Sequence, residues 1–225
     1  MVSVSTMMAR SPDPTRTRLI QAGEQLFAAR GIDNVSLREI TRISGARNAV
    51  ALQHHFSDRE GLLAAIITKH HIHVEDRRHT LLDEYEAAGE TDARSIAAAL
   101  VEPLAACLDD PDGGREFLQI FADVVNRPRP IQWPSPVAGR AESIERRRAL
   151  AEPLLPSGAV RLHRRLAAVL YVSVELARCA RDDHTRDHPL ITSAVIDLVA
   201  ANLTAPVSTQ TKRLLREHDR GRNRQ

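Results

Sequence analysis

The first ninety residues contain three short helical segments followed by one long helix, and this spacing constrains the fold more than any other feature. Glycines punctuate it: Gly31 and Gly45 stand where helices can end in a left-handed cap, and Gly89 closes the long helix. The predicted segments are one that ends at residue 30, one over 37–43, one over 47–55 and the long helix over 58–88. Short helices joined this closely must share one small core, so we predict an N-terminal domain over residues 12–57.

Apolar spacing and capping residues fix the details of this domain. The second helix starts after Ser36, a good N-cap, and its predicted inner face is Leu37, Ile40 and Ile43. Ser57 and Glu60 have the spacing of a capping box at the start of the long helix. The residues assigned to the small core are Leu19, Phe27, Ile40, Leu52 and Phe56.

The rest of the chain also follows a helical pattern. Aromatic residues are only 3 % of the sequence, whereas Ala, Leu, Arg and Glu are abundant, which favours an all-α protein. Four prolines within 127–136 exclude a helix there and predict an extended loop. We predict a helical C-terminal domain over 58–205, a disordered leader over 1–11 and a basic flexible tail over 206–225. Beyond the long helix, the helices expected in the C-terminal domain cover 92–109, 114–126, 138–152, 159–181 and 189–204.

Charge is distributed unevenly along a chain whose formal net charge is only +2. Residues 1–60 carry eight arginines against six acidic residues, and residues 61–205 carry seventeen basic against twenty-one acidic residues. The N-terminal part of the chain (the head) is thus mildly positive, and the larger part that follows (the body) is acidic. This distribution permits nucleic-acid binding and disfavours a membrane role for the body. Charge alone does not identify DNA as the partner.

Two short helices separated by a tight turn form a unit that can place the second helix in the major groove of DNA. The turn here is 44–46, and the inserted helix covers roughly 47–54. Arg47 can pair with guanine or phosphate, and Asn48 and Gln53 can each read adenine. Ala49 and Val50 are small enough to approach thymine methyl groups or to pack inward.

Three stretches of this domain resemble the tetracycline-repressor (TetR) family of transcription regulators. They are AGEQLFAARGI over 22–32, VSLREITRISGA over 35–46 and LQHHFSDREGLL over 52–63, in the family's order and spacing. The resemblance covers residues 15–67 and implies a helix-turn-helix DNA-binding domain on a helical body that forms a dimer and binds a ligand. Two departures are the segment 46–56, one residue longer than usual, and Gln53, where the family often has a phosphate-contacting tyrosine.

The resemblance assigns a set of DNA-contacting residues. Arg59 and the backbone amides near Ser57 would hold phosphate at a helix N-terminus, and residues of the second helix would contact the flanking backbone. Arg38 and Arg42 lie four residues apart and equally fit a solvated helix face, while His55 fits a structural role better than base contact. The full predicted set is Ser36, Arg38, Arg42, Arg47, Asn48, Ala49, Val50, Gln53, His54, Ser57 and Arg59.

The body is predicted to bind a small molecule and to form a homodimer. Trp133 lies on the proline-rich loop, and Glu175 lies within an apolar helix where it could meet a cation or reach solvent. Helices 159–181 and 189–204 are apolar on two sides, so one side of each is expected to face a second subunit. The candidate ligand-binding residues are Tyr85, Phe117, Phe121, Trp133, Tyr171 and Glu175, although both phenylalanines also fit ordinary core.

Other chemistry is not expected. His70 and His73 are three apart on one helix, yet no cysteine or carboxylate cluster completes a metal site nearby. The sequence has no phosphate-binding glycine loop, nucleophile elbow or CxxC pair, so we expect no enzyme and no cofactor. The first ten residues lack the apolar core of a secretory signal, and Cys107 and Cys179 fit buried thiols of a cytoplasmic protein.

These observations favour a ligand-responsive repressor that binds a palindromic operator as a dimer. Two alternatives remain: an activator with the same DNA-binding head, and a helical protein that binds a ligand or partner without operator specificity.

Overall fold

The computed structural model describes residues 13–46, 50–89, 91–127, 142–182 and 187–222, without the side chains of Val50, Ala51 and residues 221–222. Every regular element in these ranges is helical, which confirms the predicted all-α fold. The chain divides into two compact units between Ile66 and Ile67.

The first unit contains α1 (Pro14–Arg30), α2 (Leu37–Ile43), α3 (Val50–Phe56) and the start of α4 (Arg59–Ala88). Asp13 caps α1 by accepting a hydrogen bond from the Thr15 amide at 2.8 Å, and Pro14 occupies the first helical position. Helix α1 packs against both α2 and α3. The five residues assigned to the small core are all buried, as predicted: Leu19, Phe27, Ile40, Leu52 and Phe56.

The predicted inner face of α2 was wrong at one end. Ile43 is 43 % exposed and Leu37 is only partly buried, whereas Thr41 and Ser44 are buried beside Ile40. The buried arc therefore follows positions 40, 41 and 44, which share one side of a helix with 3.6 residues per turn. The hydroxyl groups of Thr41 and Ser44 donate hydrogen bonds to backbone carbonyls of the same helix, at 2.9 and 2.8 Å.

The unit boundary lies nine residues after the boundary expected at 57/58. The reason is the close approach of α4 to α1 at Gly23. A Cβ atom at this glycine would lie 3.1 Å from the Leu62 side chain and 3.2 Å from the Ile66 side chain. The first two turns of α4 therefore complete the core of the first unit, and the helix continues from there into the second unit.

In the second unit, α6 (Gly114–Val125) packs against α8 (Arg164–Arg181), and α5 (Ala93–Ala105) packs against α7 (Glu142–Ala151) and α9 (His188–Thr204). The expected start of a helix at residue 159 was wrong, because residues 159–163 form turns with Gly158 and His163 at positive φ. The tail expected to be flexible over 206–225 is helical over residues 209–222. This last helix is α10 (Thr209–Arg222).

Helix α5 contains a proline near its end, and the structure compensates for it. Pro103 has no N–H to donate to the carbonyl of Ala99, four residues earlier. Arg78 of α4 donates its Nε–H to that carbonyl at 2.9 Å. A buried arginine thus satisfies the acceptor that the proline leaves open, which links α4 to α5.

In the described part of the chain, no single helix is long and apolar enough to cross a membrane. Helix α9 and residues 209–220 of α10 reach that length and apolar composition only when they are taken together, and they are bent by 53° relative to each other.

Candidate nucleic-acid interface

The turn between α2 and α3 is built from Ser44, Gly45 and Ala46. The Ser44 amide donates to the Ile40 carbonyl at 2.9 Å and closes α2, and the Ser44 hydroxyl accepts from the Ala46 amide at 3.3 Å. Gly45 has φ +68°, which is costly for residues with a Cβ atom. The chain thereby leaves α2 in a tight turn, as a helix-turn-helix requires.

Helix α3 presents a buried side and an exposed side. Leu52 and Phe56 are buried four residues apart, whereas Gln53 and His54 between them are exposed. The structure thus leaves two of the predicted base-reading side chains accessible on the second helix of the motif. The predicted contacts Arg47, Asn48 and Ala49, and the side chain of Val50, lie outside the described residues.

The start of α4 differs from the predicted capping box. Ser57 has φ +65° and precedes the helix by two residues, so its hydroxyl is not the cap. Asp58 is the N-cap residue, and its carboxylate accepts from the Gly61 amide at 2.8 Å. Because the Asp58 carboxylate already accepts the hydrogen bond of this amide, the start of α4 is a poorer phosphate-binding site than the sequence predicted.

Arg59 supports the domain from within. Its Nη2 donates to the Val35 carbonyl at 2.7 Å, and its Nη1 lies 4.0 Å from the Asp33 carboxylate. This side chain ties the start of α4 to the loop before α2. The predicted phosphate contact would have to use the roughly one-third of the Arg59 side chain that is exposed, 37 % by area.

Helix α2 carries the remaining predicted contacts. Ser36 caps the helix by accepting from the Glu39 amide at 3.2 Å, and it is exposed. Arg38 and Arg42 are exposed on the same helix, in positions that suit phosphate contact and solvation equally. Arg30 pairs with Glu39 at 2.6 Å and fixes α2 against the end of α1.

Helix α3 is held against α1 by polar and cation–π contacts as well as by apolar packing. The Arg16 guanidinium lies 5.2 Å from the centre of the Phe56 ring. His55, whose side chain is largely buried, lies 3.6 Å from the Asp13 carboxylate. The hydrogen bond from the Thr15 amide, and to a smaller extent the electrostatic effect of His55, hold the pKa of Asp13 below its usual value. His55 thus has a structural role, as its sequence context favoured.

Residues 19–66 match the family model described as bacterial regulatory proteins of the tetR family. These residues therefore form a DNA-binding domain of the tetR-family type. The matched residues are the helix-turn-helix unit and the turns of α4 that complete its core. The second unit lies outside the match.

Solved structures resemble the chain over most of its length. The fatty acid degradation regulator FadR from Bacillus halodurans aligns with a TM-score of 0.51 at 13 % identity, covering 81 % of this chain and 96 % of FadR. NalD, the secondary repressor of the MexAB-OprM multidrug efflux pump in Pseudomonas aeruginosa, aligns with a TM-score of 0.49 at 20 % identity, covering 86 % of this chain and 97 % of NalD. No curated protein matches the chain. The likeness to FadR shows a shared fold.

The candidate ligand residues of the second unit occupy different environments. Phe117 is fully buried, and its ring lies 4.7 Å from that of His70 and 5.7 Å from that of Phe121. Tyr85 packs against an apolar cluster. Glu175 pairs with Arg178 on its own helix at 2.9 Å, and Tyr171, whose pKa is raised by burial and by Glu175, is partly buried. Trp133 lies outside the described residues.

A groove of about 410 Å³ lies between α4 and the end of α5. None of the six predicted ligand residues lines it. Burial raises the pKa of the Cys107 thiol at its wall to about 12, so this cysteine is a weak nucleophile. The lining residues are His73, Val74, Arg77, Pro103, Ala106, Cys107 and Asp110.

Two histidines of α4 lie close to carboxylates. His70 is buried with its Nδ1 3.6 Å from the Asp110 carboxylate, and His71 lies 3.7 Å from Glu75. Within the described ranges, no three His, Cys, Asp or Glu side chains are grouped so that they could hold a metal ion.

Sequence reasoning missed a buried polar network between α4 and α7. Glu75 accepts short hydrogen bonds from Arg78 and from the Ser143 hydroxyl, and Arg78 also donates to Ser143 at 3.0 Å. The i, i+3 spacing of Glu75 and Arg78 on the apolar side of α4 was the signal available.

Arg146 forms its ion pairs with another helix, although Glu142 lies four residues before it on its own helix. Arg146 of α7 binds Asp83 at 2.7 Å and also Glu86, both on α4. The hydrogen bonds that Arg146 donates, first to Glu86 and then to Asp83, raise its pKa.

Proposed function

We propose that this protein is a ligand-responsive transcriptional repressor that works in the cytoplasm and binds a palindromic operator near its own gene. The observation that carries the proposal is the exposed side of α3, with Gln53 and His54 directed away from the core of a TetR-family helix-turn-helix. Side chains of this kind on the second helix can reach base edges in the major groove.

A homodimer fits the same proposal. Leu166 and Val174 of α8 and Leu190 and Leu198 of α9 are each more than half exposed, although both helices also bury an apolar side. Exposed apolar side chains on two helices of one unit are typical of an interface. Twofold-related heads would read two half-sites about 34–36 Å apart, which is one turn of DNA.

The operator test is a gel shift on the region upstream of the gene, with unrelated DNA as competitor at several salt concentrations. We expect the upstream region to compete at least about a thousandfold better than unrelated DNA. Gln53→Ala should weaken operator binding by about five- to a hundredfold, which is the loss of one good base contact. Gln25→Ala is the matched control, because Gln25 is an exposed glutamine of α1 in the same domain.

Equal competition by unrelated DNA would reject sequence-specific binding. Equal affinities of Gln53→Ala and Gln25→Ala would reject the register proposed for α3.

A further inference from the structure

Arg147 of α7 is a buried cation with too few partners. It is 1 % exposed, which places it among the most buried large side chains of the chain. Its Nη1 lies 3.4 Å from the Ile96 carbonyl, a long hydrogen bond, and its buried Nε has no hydrogen-bond partner. A guanidinium has five N–H donors, so most of its hydrogen-bonding capacity is unused here.

The neighbouring carboxylates are engaged elsewhere. Glu75 accepts hydrogen bonds from Arg78 and Ser143, and Glu152 accepts one from Arg165. Asp83 and Glu86 bind Arg146, the residue before Arg147. Within the described ranges, no carboxylate lies within salt-bridge distance of Arg147. The segment 128–141, which directly precedes α7, contains no Asp or Glu at all.

The surroundings of Arg147 increase the cost of its charge. Burial and then the positive charges of Arg78, Arg148 and Arg165 lower the pKa of Arg147 to about 9, which leaves it charged at neutral pH. Taking an unpaired charge out of water is among the most unfavourable arrangements in a protein interior. An anion placed on this guanidinium would relieve that penalty.

An apolar cluster borders the same guanidinium. Ile96, whose carbonyl Arg147 contacts, packs there with Leu82, Ala99 and Ala151, all fully buried. Ala151 lies four residues after Arg147 and therefore on the same side of α7. Three partly buried side chains close the cluster and leave its edge in contact with solvent: Tyr85, Leu150 and Leu154.

We propose that Arg147 is the anion-binding residue of the effector site, and that the effector is a small organic acid with a carboxylate and an apolar body. The carboxylate pairs with the guanidinium in two parallel hydrogen bonds, and the apolar body packs between α4, α5 and α7 near Tyr85. This inference rests on the proposed function in that it treats the bound acid as the effector.

The test uses the full-length protein without DNA, so that its outcome is independent of operator binding. Octanoate and phenylacetate are the probes, measured by thermal unfolding and by calorimetric titration. Acetate, 1-octanol and octylammonium are the comparison compounds, because each lacks either the apolar body or the negative charge. The variants are Arg147→Met, Arg147→Lys and the control Arg148→Met, at an exposed arginine on the same helix.

We expect octanoate or phenylacetate to raise the Tm of the wild type and of Arg148→Met by more than any comparison compound does. Arg147→Met should weaken binding of the acid by about ten- to a hundredfold. Arg147→Lys, which keeps the charge but loses the paired donors, should fall between the two. Without ligand, the Tm of Arg147→Met should equal or exceed that of the wild type, since the variant removes an unpaired buried charge.

Three results would each overturn the proposal. One is that neither acid raises the Tm more than 1-octanol does. Another is that Arg147→Met binds the acid as tightly as the wild type. The third is a lower ligand-free Tm for Arg147→Met, which would mean that an internal partner already neutralises the arginine. Acid binding through Arg147 in a protein that fails to bind its upstream DNA would reject the repressor function but not this site.

Discussion

The turn from α3 to α4 depends on two adjacent residues with opposite effects on stability. Ser57 adopts a left-handed backbone conformation, φ +65°, which costs a residue with a Cβ atom roughly 1 kcal/mol. Asp58 offsets that cost by capping α4 through the Gly61 amide. The two residues therefore respond differently to the same substitution.

Asp58→Ala should lower the free energy of unfolding by about 1 kcal/mol, because the Gly61 amide loses its acceptor. Ser57→Ala should change it by less than about 0.5 kcal/mol, since alanine keeps the backbone strain and no cap is removed. Urea denaturation of both variants measures the two values. A larger loss for Ser57→Ala than for Asp58→Ala would restore the capping box that the sequence suggested.

Residue-scale predictions succeeded where burial decides and failed where backbone conformation decides. The apolar spacing of Leu52 and Phe56 identified two core residues, and the residues between them are exposed on α3. The S-x-x-E pattern at Ser57 failed because the positive φ of this residue cannot be read from its side chain. The partner of Arg59 is a backbone carbonyl 24 positions away, which a local pattern does not reveal.

At the scale of elements, Gly61 sets the angle at which α3 meets α4. A Cβ atom at this position would lie 1.9 Å from the Phe56 carbonyl oxygen, which is backbone and cannot rotate away. Any larger residue therefore forces α3 and α4 apart at the turn that positions the recognition helix.

Gly61→Ala should destabilise the first unit by about 2–3 kcal/mol and weaken operator binding more than its stability loss explains. Glu60→Ala is the control, because Glu60 is the exposed neighbour in the same turn of α4. Denaturation followed by fluorescence or circular dichroism, together with the gel shift, separates the two effects. Full operator affinity in Gly61→Ala would show that the position of α3 does not depend on this turn.

The helices themselves were largely predictable, and their exceptions have tertiary causes. Periodicity gave α5, α6 and α9 to within a few residues. The tail was expected to be flexible because it is polar, but Ser208 caps α10 and Asp219 pairs with Arg161 at 2.7 Å. That ion pair joins residues 58 positions apart.

At the scale of the whole molecule, the sequence identified the DNA-binding domain far better than the proposed effector site. The helix-turn-helix is a local motif, whose core and turn residues lie within about fifty positions and follow one pattern. The polar groups of the body are paired over long separations, as Arg146 is with Asp83 63 positions away. An unpaired buried arginine such as Arg147 can be recognised only after every neighbouring carboxylate has been assigned.

The proposed dimer would hold two DNA-binding domains together, so its loss should affect operator binding. Val174→Glu combined with Leu198→Glu places a charge on each predicted interface helix, at side chains that are 56 % and 55 % exposed in the single chain. The folded protomer should tolerate both changes, with a loss below about 1 kcal/mol. The dimer should not tolerate them, because each unpaired carboxylate would be buried in the interface. The Kd of the dimer should therefore rise by about two to three orders of magnitude.

Light scattering after gel filtration measures the mass directly, and the gel shift shows whether a monomer still holds the operator. Leu214→Glu is the matched control, since Leu214 is equally exposed, at 50 %, on α10 outside the predicted interface. We expect the double variant to elute as a monomer and to lose operator binding at concentrations where the control remains dimeric and bound. A double variant that stays dimeric would move the interface away from α8 and α9, and one that binds the operator as a monomer would remove the need for paired half-sites.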